Sequence, residues 1–240
     1  MKIAVPSLAA LVPAFLFMVS SVGCATAHEN ANAQPNRNSS VQVVQNTNVQ
    51  ANGQDRQKQA ETEFKRLTDL RTSLGEIPFD GDKKEPHASL IKKHEDEVVY
   101  NEPAGQWIVR SEKFWDLAAR YKDLPIADEI AWTAAENPLP GECEGYIPCA
   151  LDWIRRTSGR YLEMFPNGKH RDAALENISG LTSDLEPEGE NVDMWPTESD
   201  EKAEMNKTLD ELTAIVAKTD GQQKEAILAD IEKMRNAVKQ

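Results

Sequence analysis

The chain has 240 residues, and its 40 Asp and Glu outnumber 27 Lys and Arg to give a formal net charge of −13. So acidic a chain excludes a nucleic-acid phosphate backbone as partner, because that recognition needs concentrated basic charge. An anionic membrane surface repels it too, so any membrane attachment must come through lipid. All five Trp lie beyond residue 60, which excludes a wholly disordered chain.

The first element is an export signal. Lys2 gives a positive end, and Ile3 to Val19 is almost unbroken apolar chain followed by small residues. That three-part pattern predicts a signal peptide over residues 1–27, too short for a membrane-spanning helix. Val22-Gly23-Cys24 resembles a bacterial lipobox, which implies lipidation of Cys24 as an alternative start of the mature chain. Residues 28–60 are rich in Asn, Gln, Ala and Ser. With so few large apolar side chains they are expected to form an unfolded tether. The expected location is therefore periplasmic or extracellular, with outer-membrane anchoring if Cys24 carries lipid.

The folded part is expected over residues 61–185. Phe64, Leu67, Leu70 and Leu74 recur at helical spacing from Glu61 until Gly75 ends the run. A second, charged helix is predicted from Pro86 to Val99. His87 and His94 would share a face of it, as solvent-facing side chains rather than metal ligands. Ser111 reads as a helix cap ahead of Phe114, Leu117, Ala118 and Tyr121. Ile126 to Ala135 follows as a helix and ends at Asn137-Pro138-Leu139-Pro140-Gly141.

Cys143 and Cys149 bracket a short loop containing Gly145 and Pro148. In an exported chain such a pair most simply forms a disulfide. Zinc, which lacks nearby histidines, and a redox pair, which lacks the usual two-residue spacing, are the alternatives. Beyond the loop, helices are predicted over 151–165 and 169–185. An acidic loop follows over 186–199, and Asp184 just before it, with Glu186, Glu188, Glu190 and Asp193 within it, fits a solvated run better than a calcium loop. Two further helices, 200–217 and 222–238, suit an antiparallel hairpin within residues 200–240.

Residues 121–131 align without gaps on residues 165–175. Each copy has an aromatic at a helix end, a polar turn, and then Asp in an alanine-rich helix start. This pattern resembles the tetratricopeptide-like repeats of exported bacterial envelope proteins, and Phe165-Pro166-Asn167 matches their turn best. Residues 107–179 also look like part of a family of uncharacterised secreted bacterial proteins. The resemblance implies an all-α fold of antiparallel, TPR-like helical hairpins with one short disulfide loop, and a partner that is another envelope or secreted protein.

Catalytic motifs are missing from the sequence: no nucleophile elbow, Walker loop or dinucleotide fingerprint is present. No catalytic residue, metal site or cofactor is expected. Trp132, Trp153 and Tyr146 are the candidate binding residues on the helical surface, although core packing competes for both tryptophans. A competing function is a hydrolase of cell-wall or extracellular polysaccharide using a carboxylate pair among Glu136, Glu142 and Glu144.

Overall fold

Helices α1 (Ser39–Gly75) and α2 (His87–Lys93) come first, then strands β1 (Val98–Asn101) and β2 (Gln106–Val109). Helices α3 (Ser111–Arg120) and α4 (Ile126–Glu136) follow. Helix α5 (Ile147–Ile154) runs through a π-helical turn (Arg155–Gly159) into α6 (Arg160–Met164). Helices α7 (Arg171–Asp184), α8 (Ser199–Ala217) and α9 (Lys224–Val238) complete the order. The computed structural model describes residues 39–184 and 194–239, with the backbone alone at 39–52 and 184. The expected signal peptide, Cys24 and most of the expected acidic loop lie outside the described residues. The packing divides into residues 1–45 and residues 46–240, and every side-chain contact described belongs to the second unit.

The fold is a mostly helical bundle with one small antiparallel hairpin. Periodic apolar residues explain the helices: Leu67, Leu70 and Leu74 of α1, and Phe114 and Leu117 of α3, are buried in one continuous core. Ile130 and Ala134 of α4, Ile178 of α7, Leu209 and Leu212 of α8, and Ile231 of α9 join them. Each fully buried Leu, Ile or Phe contributes about 1.5–3 kcal/mol. Helices α3 and α4 pair across a short turn, as do α8 and α9, and α9 also packs on α7.

The structure departs from the sequence expectations at three places. Helix α1 begins at Ser39, inside the stretch expected to be a tether. Ala60 is fully buried there, and Arg56 pairs with Asp123 at 2.5 and 3.0 Å. Gln and Ala favour helix, and a helix anchored by packed residues 60–74 extends at little cost once nucleated. The all-α expectation fails at residues 98–109, where β1 and β2 pair with Tyr100 opposite Trp107 and Val98 opposite Val109. Accordingly the predicted helix from Pro86 is only α2, and His94 ends it, half-buried, with its ring on Glu97. Ser111, finally, caps nothing: its hydroxyl accepts a bond from Asn137 at 2.9 Å.

The internal repeat exists in the backbone as well as in the sequence. Tyr121 and Phe165 each end a helix, with N–H bonds to Leu117 and Tyr161. Leu124 N–H then bonds Tyr121 O, and Gly168 N–H bonds Phe165 O. Ala127 N–H bonds Leu124 O, and Arg171 N–H bonds Gly168 O. These three backbone bonds recur at aligned positions, while Pro125 has no N–H to match that of Lys169.

Candidate functional site

The second turn is locked from across the bundle. Asp128, on the first turn of α4, accepts the Lys169 N–H at 2.7 Å and the Tyr161 hydroxyl. That hydroxyl in turn accepts the His170 N–H at 2.9 Å. Asp128 and Tyr161 thus serve backbone donors left over ahead of α7, a duty normally given to a residue of the same helix. Burial first, and the Asp128 carboxylate second, push the Tyr161 hydroxyl well above the usual tyrosine range. His170 stacks on Trp132, with ring centres 4.9 Å apart and planes 4° from parallel, and its Nε2 meets Glu129 at 3.0 Å. His170, with Lys169 second, holds the Glu129 carboxyl below its ordinary value. No room is left at Gly168, where an added Cβ would meet the Tyr161 oxygen at 2.3 Å.

Trp132 therefore belongs to the interior rather than to a binding surface. It is 8% exposed and also packs edge-on to Tyr161 at 5.3 Å. Tyr146 is placed elsewhere again. It precedes α5, half-buried, and burial followed by a hydrogen bond to Glu201 raises its hydroxyl pKa. Of the three candidates Trp153 lines a concavity.

That concavity is a cleft of about 680 Å³, within the ~300–1,000 Å³ usual for ligand sites. The hairpin turn supplies Pro103 and Ala104, the loop after α4 supplies Pro138 and Leu139, and Trp153, Ile154 and Leu181 close it. Two asparagines fasten the hairpin to that loop. Asn101 accepts the Gly141 N–H at 3.3 Å, and the Asn137 amide donates to Val109 O at 2.7 Å. The Cys143–Cys149 disulfide, Cα atoms 5.5 Å apart, draws the far end of the loop back onto α5, and Cys143 lines the cleft. Gly145, at φ 83°, lets this loop pass close to Met194, whose sulfur would lie 3.2 Å from an added Cβ. The π-helical turn adjoins the cleft through Thr157, whose hydroxyl donates to Trp153 O at 2.7 Å. Such turns recur at functional sites in helical proteins.

The carboxylates proposed for catalysis separate on this frame. Glu136 lines the main cleft. Glu142 lines a neighbouring cleft of about 570 Å³ with Tyr100 and Glu102. Glu144 stands exposed at φ 47° and lines neither. Among the described residues no three His, Cys, Asp or Glu groups gather as a metal ion requires. Nor is any described helix long and apolar enough to cross a membrane. Sequence reasoning missed Tyr100, Pro103 and Leu139, which become neighbours only after the hairpin docks. The available signal was the pair of short β-branched and aromatic runs at residues 98–100 and 107–109 on either side of Pro103-Ala104-Gly105.

Comparison with protein-family models, curated proteins and solved structures found no match.

Proposed function

We propose that the chain is a noncatalytic binding module of the bacterial cell envelope, exported by its N-terminal signal and tethered by lipid on Cys24 or released. The cleft beside Trp153 receives a segment of another envelope or secreted protein. The observation that carries this reading is the cleft itself. A half-buried tryptophan, two prolines, two leucines and a residue of the π-helical turn line open space, and a largely apolar cleft of this size is the usual form of a binding site. The shared hydrogen-bond pattern of the two turns supports TPR-like helical hairpins as the scaffold.

The test is photo-crosslinking in intact source cells. A photoreactive residue placed at Ala104 or Leu181 should capture one recurrent protein, and the same residue at Glu232 on α9 should not. Trp153→Ala should abolish capture with the circular dichroism unchanged. Equal capture from both faces, or none, refutes the reading. A hydrolase of envelope polysaccharide is the second reading, favoured by Glu142 and Tyr100 sharing one cleft. Glycan capture, with turnover abolished by Glu142→Gln, would establish it instead.

A further inference from the structure

We infer that the cleft's occupant is an apolar protein segment ending in a basic residue; this deepens, and rests on, the binding-module reading. The two clefts meet at Pro103 and Gly141, which line both. Their chemistry differs sharply. The larger offers mainly Leu139, Trp153, Ile154 and Leu181 and asks for apolar side chains. The smaller presents Glu102 and Glu142 beside Tyr100.

Two features of the smaller cleft select a cation. Glu102 and Glu142 are exposed and take part in no ion pair among the described residues. Tyr100 is 39% exposed and is held against Trp107 with ring centres 5.5 Å apart. An ammonium or guanidinium beside that ring would gain a cation–π contact together with both carboxylates. An acidic end would instead meet two like charges, which is a strong means of rejecting wrong partners. The net charge of −13 also speeds the approach of basic partners. A neutral sugar would use the ring and leave the charges idle.

The probes are fluorescein-labelled, amidated hexapeptides, four residues drawn from Leu, Val, Phe and Pro and the last two Lys, Gln or Glu. Anisotropy titration against the full chain would be done at about 150 mM salt, where long-range attraction is largely screened. Lys-ended peptides should bind at least ~10-fold tighter than Glu-ended ones. Glu102→Gln with Glu142→Gln should bring that ratio down to ~2-fold or less, while Trp153→Ala weakens every peptide. Glu102 and Glu142 are exposed and Trp153 is half-buried, so each variant is checked by circular dichroism, which should show the helix content retained. Equal binding of Lys- and Glu-ended peptides, lost in Trp153→Ala, overturns the basic end and leaves the binding module standing. A ratio that survives the double substitution also overturns it, because net charge rather than these two carboxylates would then set the preference. Binding of none of the peptides brings down both readings.

Discussion

Replacing Tyr161 by Phe removes one oxygen and tests the cross-bundle lock. The ring would keep its packing on Trp132 at 5.3 Å and Phe165 at 6.0 Å, so little cavity cost arises. Two bonds are lost. One is the hydroxyl's donation to the Asp128 carboxylate, and the other is its acceptance of the His170 N–H at 2.9 Å. A bond to a charged group is worth about 1.5–3 kcal/mol, and a buried donor left unpaired costs about 1–3 kcal/mol. Asp128 keeps the Lys169 N–H at 2.7 Å, so the losses do not add fully, and about 2–4 kcal/mol is expected. In urea denaturation followed by circular dichroism, the midpoint should fall with the slope unchanged. Tyr121→Phe is the matched control. Its hydroxyl donates to Glu63 at 2.9 Å, but Arg120 holds the same carboxylate at 2.6 Å, so about 1 kcal/mol or less is expected. Equal losses in the two variants would sink the argument that Tyr161 caps α7.

Gly168→Ala drives a methyl into the Tyr161 oxygen and the Phe165 Cβ and should cost ~1–3 kcal/mol. Gly180→Ala, in α7 with nothing within 4 Å, should stabilise by ~0.5–1 kcal/mol in the same assay. The Arg66 guanidinium, with His94 after it and burial opposing both, lowers the Glu97 pKa from 4.5 to about 2. The folded value lies below the unfolded one, so this stabilisation is complete above pH 4.5 and fades as pH falls toward 2. Glu97→Gln should therefore flatten the melting-temperature profile in that window. Opening the Cys143–Cys149 disulfide by paired Ser substitution should cost ~2 kcal/mol, the small value expected for so short a loop. A melting temperature insensitive to reductant would contradict it.

Much of the helical frame was legible because apolar side chains at three- and four-residue spacing have nowhere to go but a core. Phe114 and Leu117 in α3 and Ile227 and Ile231 in α9 illustrate this. The disulfide was legible from two cysteines so close in the sequence, in a chain whose first residues read as an export signal. The hairpin was misread because Glu95, Asp96 and Glu97 continue the charged pattern of α2 directly into Val98. The local signal of alternation was only four residues long on each strand. Trp132 and Trp153 look alike in sequence, each in an amphipathic helix. What separates them is tertiary: His170 arrives from a distant turn to cover one, and the hairpin turn stops short of covering the other. The cleft draws on the hairpin, the disulfide loop, α5 and α7, so no single window of sequence contains it.

The π-helical turn explains how one continuous helix serves both the core and the cleft. From Ile147 to Met164 the side chains fall into stripes four residues apart. Ile154, Ser158 and Leu162 form one, and Trp153, Thr157 and Tyr161 another. In an α-helix a four-residue step overshoots a full turn by about 40°, so such stripes slew around the axis. A π-helical turn is wider by about one residue and absorbs that slew. Ser158 and Leu162 then stay buried, while Trp153 and Thr157 line the cleft above the locked Tyr161. Gly159 suits the tight side of the turn, where an added Cβ would lie 3.3 Å from Ile154 O and 3.4 Å from Leu212. Deleting Arg156 tests this directly. Its ion pairs to Asp152 and Glu112, at 3.4 and 3.9 Å, are exposed and worth little. The shortened turn should revert to α-helix with the phase nearly kept, because seven residues at about 100° each bring Trp153 to within about 20° of two full turns from Tyr161, so fold and cleft binding should survive. Adding one alanine after Arg156 instead should rotate Trp153 by roughly 100° relative to Tyr161, with helix content retained, stability lowered by more than ~2 kcal/mol from the misaligned stripe, and binding at the cleft lost. An insertion variant with unchanged stability and binding would mean that the phase set by this turn has no part in placing Trp153.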